Sequence, residues 1–375
     1  MKTAIKSTLM LICLFLVIHI SAQNQPAQNI RGIIVDRLSG APLPFVTVGL
    51  TNIPNIGTIT DDYGKFTLEN VPTGRHDLQA SSVGYETTLF REIMVTSAKE
   101  VYLEIQMNES TQELGEVVVT SQTNKSQPLN NMALTGARML SVEEASRYAG
   151  GFDDPARLAS SFAGVSPGVG NNGISIHGNA PHLLQWRLED VEIPNPKHFA
   201  DIATLGGGVL SSLSSNVLGN SDFFTGSFPS EYSNAVSGVF DMKMRNGNNQ
   251  KYEHTFQAGI LGLDFASEGP FSKKHNSSYL FNYRYSTTSL FKKLGAGMEE
   301  ALDFQDLNFK MNFPTRAGIF SVWGTALIDK YDDEFEKNID KWESIEDRTS
   351  SDAKQTSAAG GITHRYYFGN NALWK

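Results

Sequence analysis

Apolar side chains in this chain recur mostly at every second position, the period of β-strands, and seldom at helical spacing. From residue 30 to 107 the apolar runs are short and are punctuated by Gly, Pro, Asn and Asp. Within residues 57–68, Asp61-Asp62-Tyr63-Gly64 carries turn chemistry, with glycine supplying a positive φ, and Phe66 and Leu68 then share one face. Pro72-Thr73-Gly74 is the next turn. Leu78, Ala80 and Ser82 continue the alternation toward Gly84-Tyr85, and Val101, Leu103 and Ile105 form a closing strand. Several short strands in about 80 residues predict a small β-sandwich.

Residues 109–127 are polar except for Leu114 and the stretch Glu116-Val117-Val118-Val119-Thr120. A β-prone patch in a polar tether is either an extra edge strand of the sandwich or a strand offered to the sheet edge of another protein. Residues 131–246 then predict a mixed α/β unit. Ser141 before Val142-Glu143-Glu144 starts a helix near 142–148, and Asp153-Asp154-Pro155 opens a second through Ser161. Strand patterns follow at 174–177, 188–193 and 239–244.

From residue 251 the alternation lengthens. Leu307, Phe309, Met311 and Phe313 face one way, and Asp306, Asn308, Lys310 and Asn312 the other. Tyr279, Phe281, Tyr283 and Tyr285 alternate likewise against Asn282, Arg284 and Ser286, with further candidates at 252–266, 318–328 and 355–368. Apolar outsides and polar insides match an outer-membrane barrel wall, whereas a water-soluble antiparallel sheet with one buried face has the same dyad pattern. Export favours the wall. Residues 329–354, rich in Asp, Glu and Lys, read as a long extracellular loop.

Export follows from the first residues. Lys2 and Lys6 precede an apolar run over residues 9–20, and Ile20-Ser21-Ala22 before Gln23 is a small-residue cleavage site, so residues 1–22 are a secretory signal peptide. Cys13, the one cysteine, lies inside it behind bulky Met10-Leu11-Ile12, which argues against a lipoprotein; cleavage leaves no thiol for disulfides or zinc. Losing the two lysines lowers the net charge of −9 by two, to −11, which argues against nucleic-acid binding. No later stretch of about 20 apolar residues exists to form a membrane helix.

Enzymatic chemistry finds no support. His177, His182 and His198 do not share a helical face or an acidic partner in register, and they read as polar loop histidines rather than metal ligands. Asp61-Asp62-Tyr63-Gly64 lacks the ligand alternation of a calcium loop, and Gly206-Gly207-Gly208 lacks the Lys-Ser/Thr of a P-loop and reads as a turn. The serines between 211 and 215 have no G-x-S-x-G frame. We expect no catalytic residue, no metal and no cofactor.

Gly32-Ile33-Ile34-Val35-Asp36, Pro44-Phe45-Val46-Thr47-Val48, Thr60-Asp61-Asp62-Tyr63-Gly64-Lys65-Phe66 and Val83-Gly84-Tyr85-Glu86 together resemble the carboxypeptidase regulatory-like domain, a transthyretin-like sandwich without catalytic residues. His76 stands where that family commonly has an aromatic. Further on, Asp154-Pro155-Ala156-Arg157, Gly173-Ile174-Ser175-Ile176-His177-Gly178-Asn179 and Trp186-Arg187-Leu188-Glu189-Asp190-Val191-Glu192-Ile193-Pro194-Asn195-Pro196 are similar to the plug of a TonB-dependent outer-membrane receptor. The similarity continues in Ser221-Asp222-Phe223-Phe224-Thr225-Gly226 and in Phe228-Pro229-Ser230-Glu231-Tyr232-Ser233-Asn234-Ala235-Val236-Ser237-Gly238-Val239-Phe240-Asp241, with His177 where many members have Arg.

The resemblance implies a mainly β chain with an α/β plug. Its order is signal peptide (1–22), regulatory-like sandwich (30–107), linker (108–130), plug (131–246) and the start of a β-barrel (247–375). It implies energised uptake across the outer membrane through a TonB-type protein of the inner membrane, whose contact would fall on Glu116, Val117, Val118, Val119 and Thr120. Outer-membrane lipid, a small-molecule, glycan or peptide ligand and a surface lipoprotein are the remaining expected partners. A secreted β-rich binding or adhesion protein carrying the same sandwich is the alternative. Residues 247–375 suffice for about five strands, whereas such a transporter has about 22, each of roughly 9–11 residues. The chain is therefore expected to be the front part of a receptor.

Overall fold

The computed structural model describes residues 26–110, 121–122 and 128–374, apart from 38, 98, 131, 134, 148–153, 169–172, 201–205, 260–261, 273–275, 289, 291–302, 334–337, 340–341, 343–347 and 369–371. The signal region and the contact segment Glu116 to Thr120 lie outside the described residues. The chain divides into two compact units, residues 1–123 and 124–375.

In the first unit, alternation builds eight strands: β1 (Ala27–Asp36), β2 (Thr47–Leu50), β3 (Gly57–Ile59), β4 (Lys65–Pro72), β5 (Gly74–Ser81), β6 (Thr88–Val95), β7 (Val101–Met107) and β8 (Ser121–Gln122). They form a three-stranded sheet, β4-β1-β7, and a five-stranded sheet, β3-β2-β5-β6-β8. Ile30, Ile34, Leu68 and Ile105 from one sheet and Val48, Leu78 and Ala80 from the other share one core, as the alternating pattern predicts for a sandwich. The Asp61 turn forms as expected: Asp61 Oδ1 accepts the Tyr63 N–H at 2.9 Å and the Lys65 N–H at 2.8 Å, and Gly64 takes φ +70°. His76 is buried on β5 with Nε2 2.7 Å from the Pro72 carbonyl, so this imidazole fills the core position and satisfies a backbone acceptor.

The second unit begins with a mixed α/β body. Its strands are β9 (Ala137–Leu140), β10 (Val165–Pro167), β11 (Ile174–Ile176), β12 (Gln185–Leu188), β13 (Val191–Ile193), β14 (Lys197–His198), β15 (Leu210–Ser211), β16 (Ser221–Phe224) and β17 (Val239–Met242). Five of them make one sheet, β13-β12-β17-β16-β9, while β10–β11 and β14–β15 are separate hairpins. Short helices occupy Val142–Arg147 and Pro155–Ala159, where capping chemistry placed them, and the second ends at Ala159 rather than at Ser161. Trp186 stacks on Phe240 with ring centroids 4.5 Å apart, and Phe223 packs on the same ring at 4.5 Å, fixing the body's core.

Around that body runs a seven-stranded antiparallel meander: β18 (Glu253–Ala258), β19 (Gly262–Ser272), β20 (Ser277–Ser286), β21 (Asp303–Thr315), β22 (Gly318–Asp333), β23 (Ser351–Phe368) and β24 (Ala372–Trp374). Two sequence expectations need correction here. The run at 252–266 is not one strand but the β18–β19 hairpin, closed by the Gly259 N–H on the Gly262 carbonyl at 2.9 Å. The polar stretch 329–354 is not all loop, because β22 and β23 stay paired through Asp333 and Ser351. Backbone ladders do not depend on hydropathy, so charged residues extend strands that pattern alone would end. The split hairpin and the short β24 make seven strands among the described residues where about five were expected.

Over residues 306–313 of β21 burial is inverted relative to a soluble sheet, while elsewhere the inner face also buries Ala266, Leu280, Phe304, Trp323 and Leu327. On β21, Asp306, Asn308, Lys310 and Asn312 are all at most 8% exposed, while the intervening Leu307, Phe309, Met311 and Phe313 are not buried. The cross-strand register carries the same face along: Phe256, Phe265, Tyr283, Leu307, Ala326 and Ala358 lie side by side. Phe256 is 68% exposed, Phe265 41% and, two residues along β23 from Gly360, Ile362 74%. Burying a side chain of this size is worth about 1.5–3 kcal/mol, so water is a poor partner for that face.

Candidate functional site: the polar seam

The mixed body meets the inner face of the meander along a seam of paired charges. One cluster starts at the β12–β13 turn, where Glu189 and Asp190 both take positive φ, 51° and 70°. A two-residue hairpin of this type normally uses Asn-Gly, so two acidic residues here carry backbone strain. The strained turn delivers the Glu189 carboxylate to the Met244 N–H at 2.7 Å and to Lys310 Nζ at 2.9 Å. Lys310 also donates to the Met244 carbonyl at 2.7 Å. Burial alone would raise the Glu189 pKa, but Lys310, Arg365 and these hydrogen bonds outweigh it and hold the carboxyl ionised.

A second pair closes the body's last segment. Arg245 makes two parallel hydrogen bonds to Glu268 on β19, at 2.7 and 2.6 Å, and the Asn248 N–H adds a third to Glu268 at 2.8 Å. Between the two, Asn308 donates to the Ser212 carbonyl at 2.7 Å, and Asn282 donates to Asp264 at 2.6 Å. Arg284 reaches from β20 to the Ser211 carbonyl and to Asp306.

His198 is the third and most enclosed cluster, and it corrects the sequence reading. His177 and His182 are exposed as expected of loop histidines, but His198 lies on β14 with no exposure at all. Its Nδ1 stands 2.5 Å from Asp329 Oδ1 and its Nε2 2.9 Å from Asp306 Oδ2. These acidic partners are 131 and 108 residues away in sequence, so no local register could have shown them. Beside it, Lys197 points the other way, over the Trp186 ring and 3.9 Å from Asp154. Burial lowers the Lys197 pKa, and Asp154 offsets only part of that.

At the far side of the body, Asp222 on β16 clasps the incoming chain. Its two oxygens accept the Leu129 N–H at 2.8 Å and the Asn130 N–H at 2.7 Å. The Asn130 side chain donates to Tyr232 Oη at 3.0 Å and to Glu231, and Tyr232 donates to Asp241 at 2.9 Å. Burial pushes Asp222 up to about 6 despite the two backbone donors. Gly206 and Gly208, at φ +73° and +100°, sit in tight backbone as a turn requires. Among the described residues no group of three or more His, Cys, Asp or Glu is arranged to hold a metal ion, and no helix is long and apolar enough to cross a membrane.

Comparison with known proteins gives a family for the first unit. Residues 30–119 match the CarboxypepD_reg-like domain, so the chain carries that domain, and the match runs through Glu116 to Val119. No curated protein matches the chain. Among solved structures, a variant of the ferric enterobactin receptor PfeA from Pseudomonas aeruginosa is similar at 12% identity and TM-score 0.42, over 62% of this chain and 38% of that one. The outer membrane transporter YddB from Escherichia coli is similar at 14% identity and TM-score 0.40, over 60% and 36%. A cohesin–X-dockerin complex from Acetivibrio cellulolyticus is similar at 20% identity and TM-score 0.19, over 21% and 56%. The chain thus spans less than two thirds of each. The protein is mainly β, a regulatory-like sandwich followed by an α/β body inside a long-stranded sheet.

Proposed function

We propose that the protein is an outer-membrane receptor of the TonB-dependent kind, taking up a ligand with energy supplied from the inner membrane. In this reading residues 131–246 are the plug, residues 247–375 belong to the barrel wall, and the sandwich at 30–107 lies in the periplasm. The reading is carried by β21: Asp306, Asn308, Lys310 and Asn312 are buried against the body, and Leu307, Phe309, Met311 and Phe313 turn outward where lipid would cover them. A soluble sheet with one buried face would place Leu307 and Phe309 inside.

The contact with the energising protein is assigned to Glu116, Val117, Val118, Val119 and Thr120. Support comes from their β-branched run and from Ser121–Gln122, directly following, which already pair in parallel with Thr88 and Leu89 of β6. A strand added to a partner sheet bears load through main-chain bonds, which suits a pull on a plug. The ligand is a small molecule such as a siderophore or a corrinoid, a glycan or a peptide. Cell fractionation tests the reading: recovery in the outer membrane with heat-modifiable migration is expected, and release of the intact chain by a carbonate wash would refute it. Deleting residues 116–120 should abolish uptake while leaving surface binding of ligand intact.

A further inference from the structure

The β14–β15 hairpin meets the wall through His198, and the geometry of that contact calls for a proton between the ring and each of two carboxylates. We propose that His198 is a proton-dependent bolt: its imidazolium, shared by Asp306 of β21 and Asp329 of β22, fixes the hairpin to the wall, and loss of that proton frees it. The inference rests on the plug-and-wall reading for its role, the hairpin being part of the plug, but its contacts all lie within the second unit.

Both ring nitrogens stand within hydrogen-bond distance of a carboxylate, 2.5 Å to Asp329 and 2.9 Å to Asp306. A neutral imidazole has a single N–H, so one nitrogen would turn its lone pair on a carboxylate oxygen. Only the cation donates to both. Charge balance gives the same answer. Arg284 Nε donates to Asp306 Oδ2 at 2.8 Å, so with His198 protonated two cations face two carboxylates. Removing the proton leaves an excess anion where His198 and Asp329 are 0% exposed and Asp306 2%.

Among the described residues, the remaining titratable groups around the site are Tyr331 of β22, packed in the Phe199–Leu210–Phe304 cluster, and Asp264 of β19, whose charge is felt together with those of Arg284 and Asp306. Asp264 adds to the negative side. Phe304 lies 4.5 Å from the imidazole ring and Phe199 6.4 Å, excluding water from it. Phe199 itself takes φ +59°, a strained conformation, and its N–H donates to Asp329 Oδ2 at 2.8 Å. The carboxylate that holds the imidazolium therefore also holds the strained residue after it.

Burial opposes the charge on His198, but the hydrogen bonds and charges of Asp306 and Asp329 outweigh it and raise its pKa. A raised histidine pKa gives a hold that is full below the unfolded value and is lost as pH rises through the folded value.

Two measurements on the full chain test the bolt, in detergent if the protein is membrane-bound and in plain buffer if it is not. Failure of the membrane reading therefore leaves them readable. In the first, ring-labelled histidine spectra, with the His198 signal assigned by its absence in His198→Gln, should show a midpoint above the ordinary value of 6.5. A midpoint at or below 6.5 would overturn the proposal. In the second, hydrogen exchange corrected for intrinsic rates should show the Phe199 and Val209 amides at least ten-fold less protected in Asp329→Asn at pH 7. Wild-type protection should fall as pH rises through the His198 midpoint, and equal protection on both sides of it would also overturn the proposal.

Discussion

At the residue scale the protein spends backbone strain to aim charges. Glu189 and Asp190 occupy a left-handed turn that glycine would take without cost, and the return is a carboxylate placed between a backbone N–H and Lys310. Replacing Glu189 by Ala leaves the Lys310 ammonium buried without its anion, which should cost about 3–5 kcal/mol in denaturant unfolding. Gly32 is constrained differently: a Cβ there would lie 2.1 Å from the Leu103 carbonyl oxygen and 2.8 Å from the Phe66 ring. Gly32→Ala should therefore destabilise the sandwich by about 1–3 kcal/mol, read as a lowered midpoint of its unfolding. The glycine was visible in the sequence as part of a family element, but its reason, a close approach of β7 and β4, was not. His198 shows the same limit, since its partners come from strands more than a hundred residues later.

At the scale of elements, alternation proved the most legible signal where one face is buried against another element. The sandwich strands, the Asp61 turn and the β20–β21 pair all follow from it. It misjudged ends: β22 and β23 run on through charged residues because their ladder continues past the apolar band. It also missed the two-residue strands β14 and β15, too short to show a period, although they carry His198 and Ser211 into the seam. The Asp222 clasp joins the linker to β16 in the same unannounced way. With its pKa at about 6 rather than 3.8, Asp222 holds a proton in the folded state that the unfolded chain releases. Its contribution to stability should therefore fall as pH rises from 3.8 to about 6, and Asp222→Asn should flatten the melting curve's pH dependence in that window.

At the scale of the whole molecule, the proposed role depends on which face of the meander would meet lipid. The seam satisfies the buried polar face with Arg245–Glu268, Lys310–Glu189 and His198 between its aspartates. On the outward face one row, Phe256, Phe265, Tyr283, Leu307, Ala326 and Ala358, runs apolar or aromatic across six strands. Phe309→Lys should cost about 2–4 kcal/mol if that face lies at the bilayer midplane, read as failed assembly into the outer membrane. The opening alternation of apolar and polar positions could not distinguish a soluble sheet from a membrane wall. The burial of Asp306, Asn308 and Lys310 supports the proposed membrane wall. The mature chain is expected to lack cysteine, so single cysteines at positions 305–312 of β21 can carry a nitroxide without interference. Collision with lipid-dissolved oxygen should then be high at 307, 309 and 311 and low at 306, 308 and 310. High accessibility of 307, 309 and 311 to a water-soluble relaxation agent, with none to oxygen in lipid, would contradict the membrane reading.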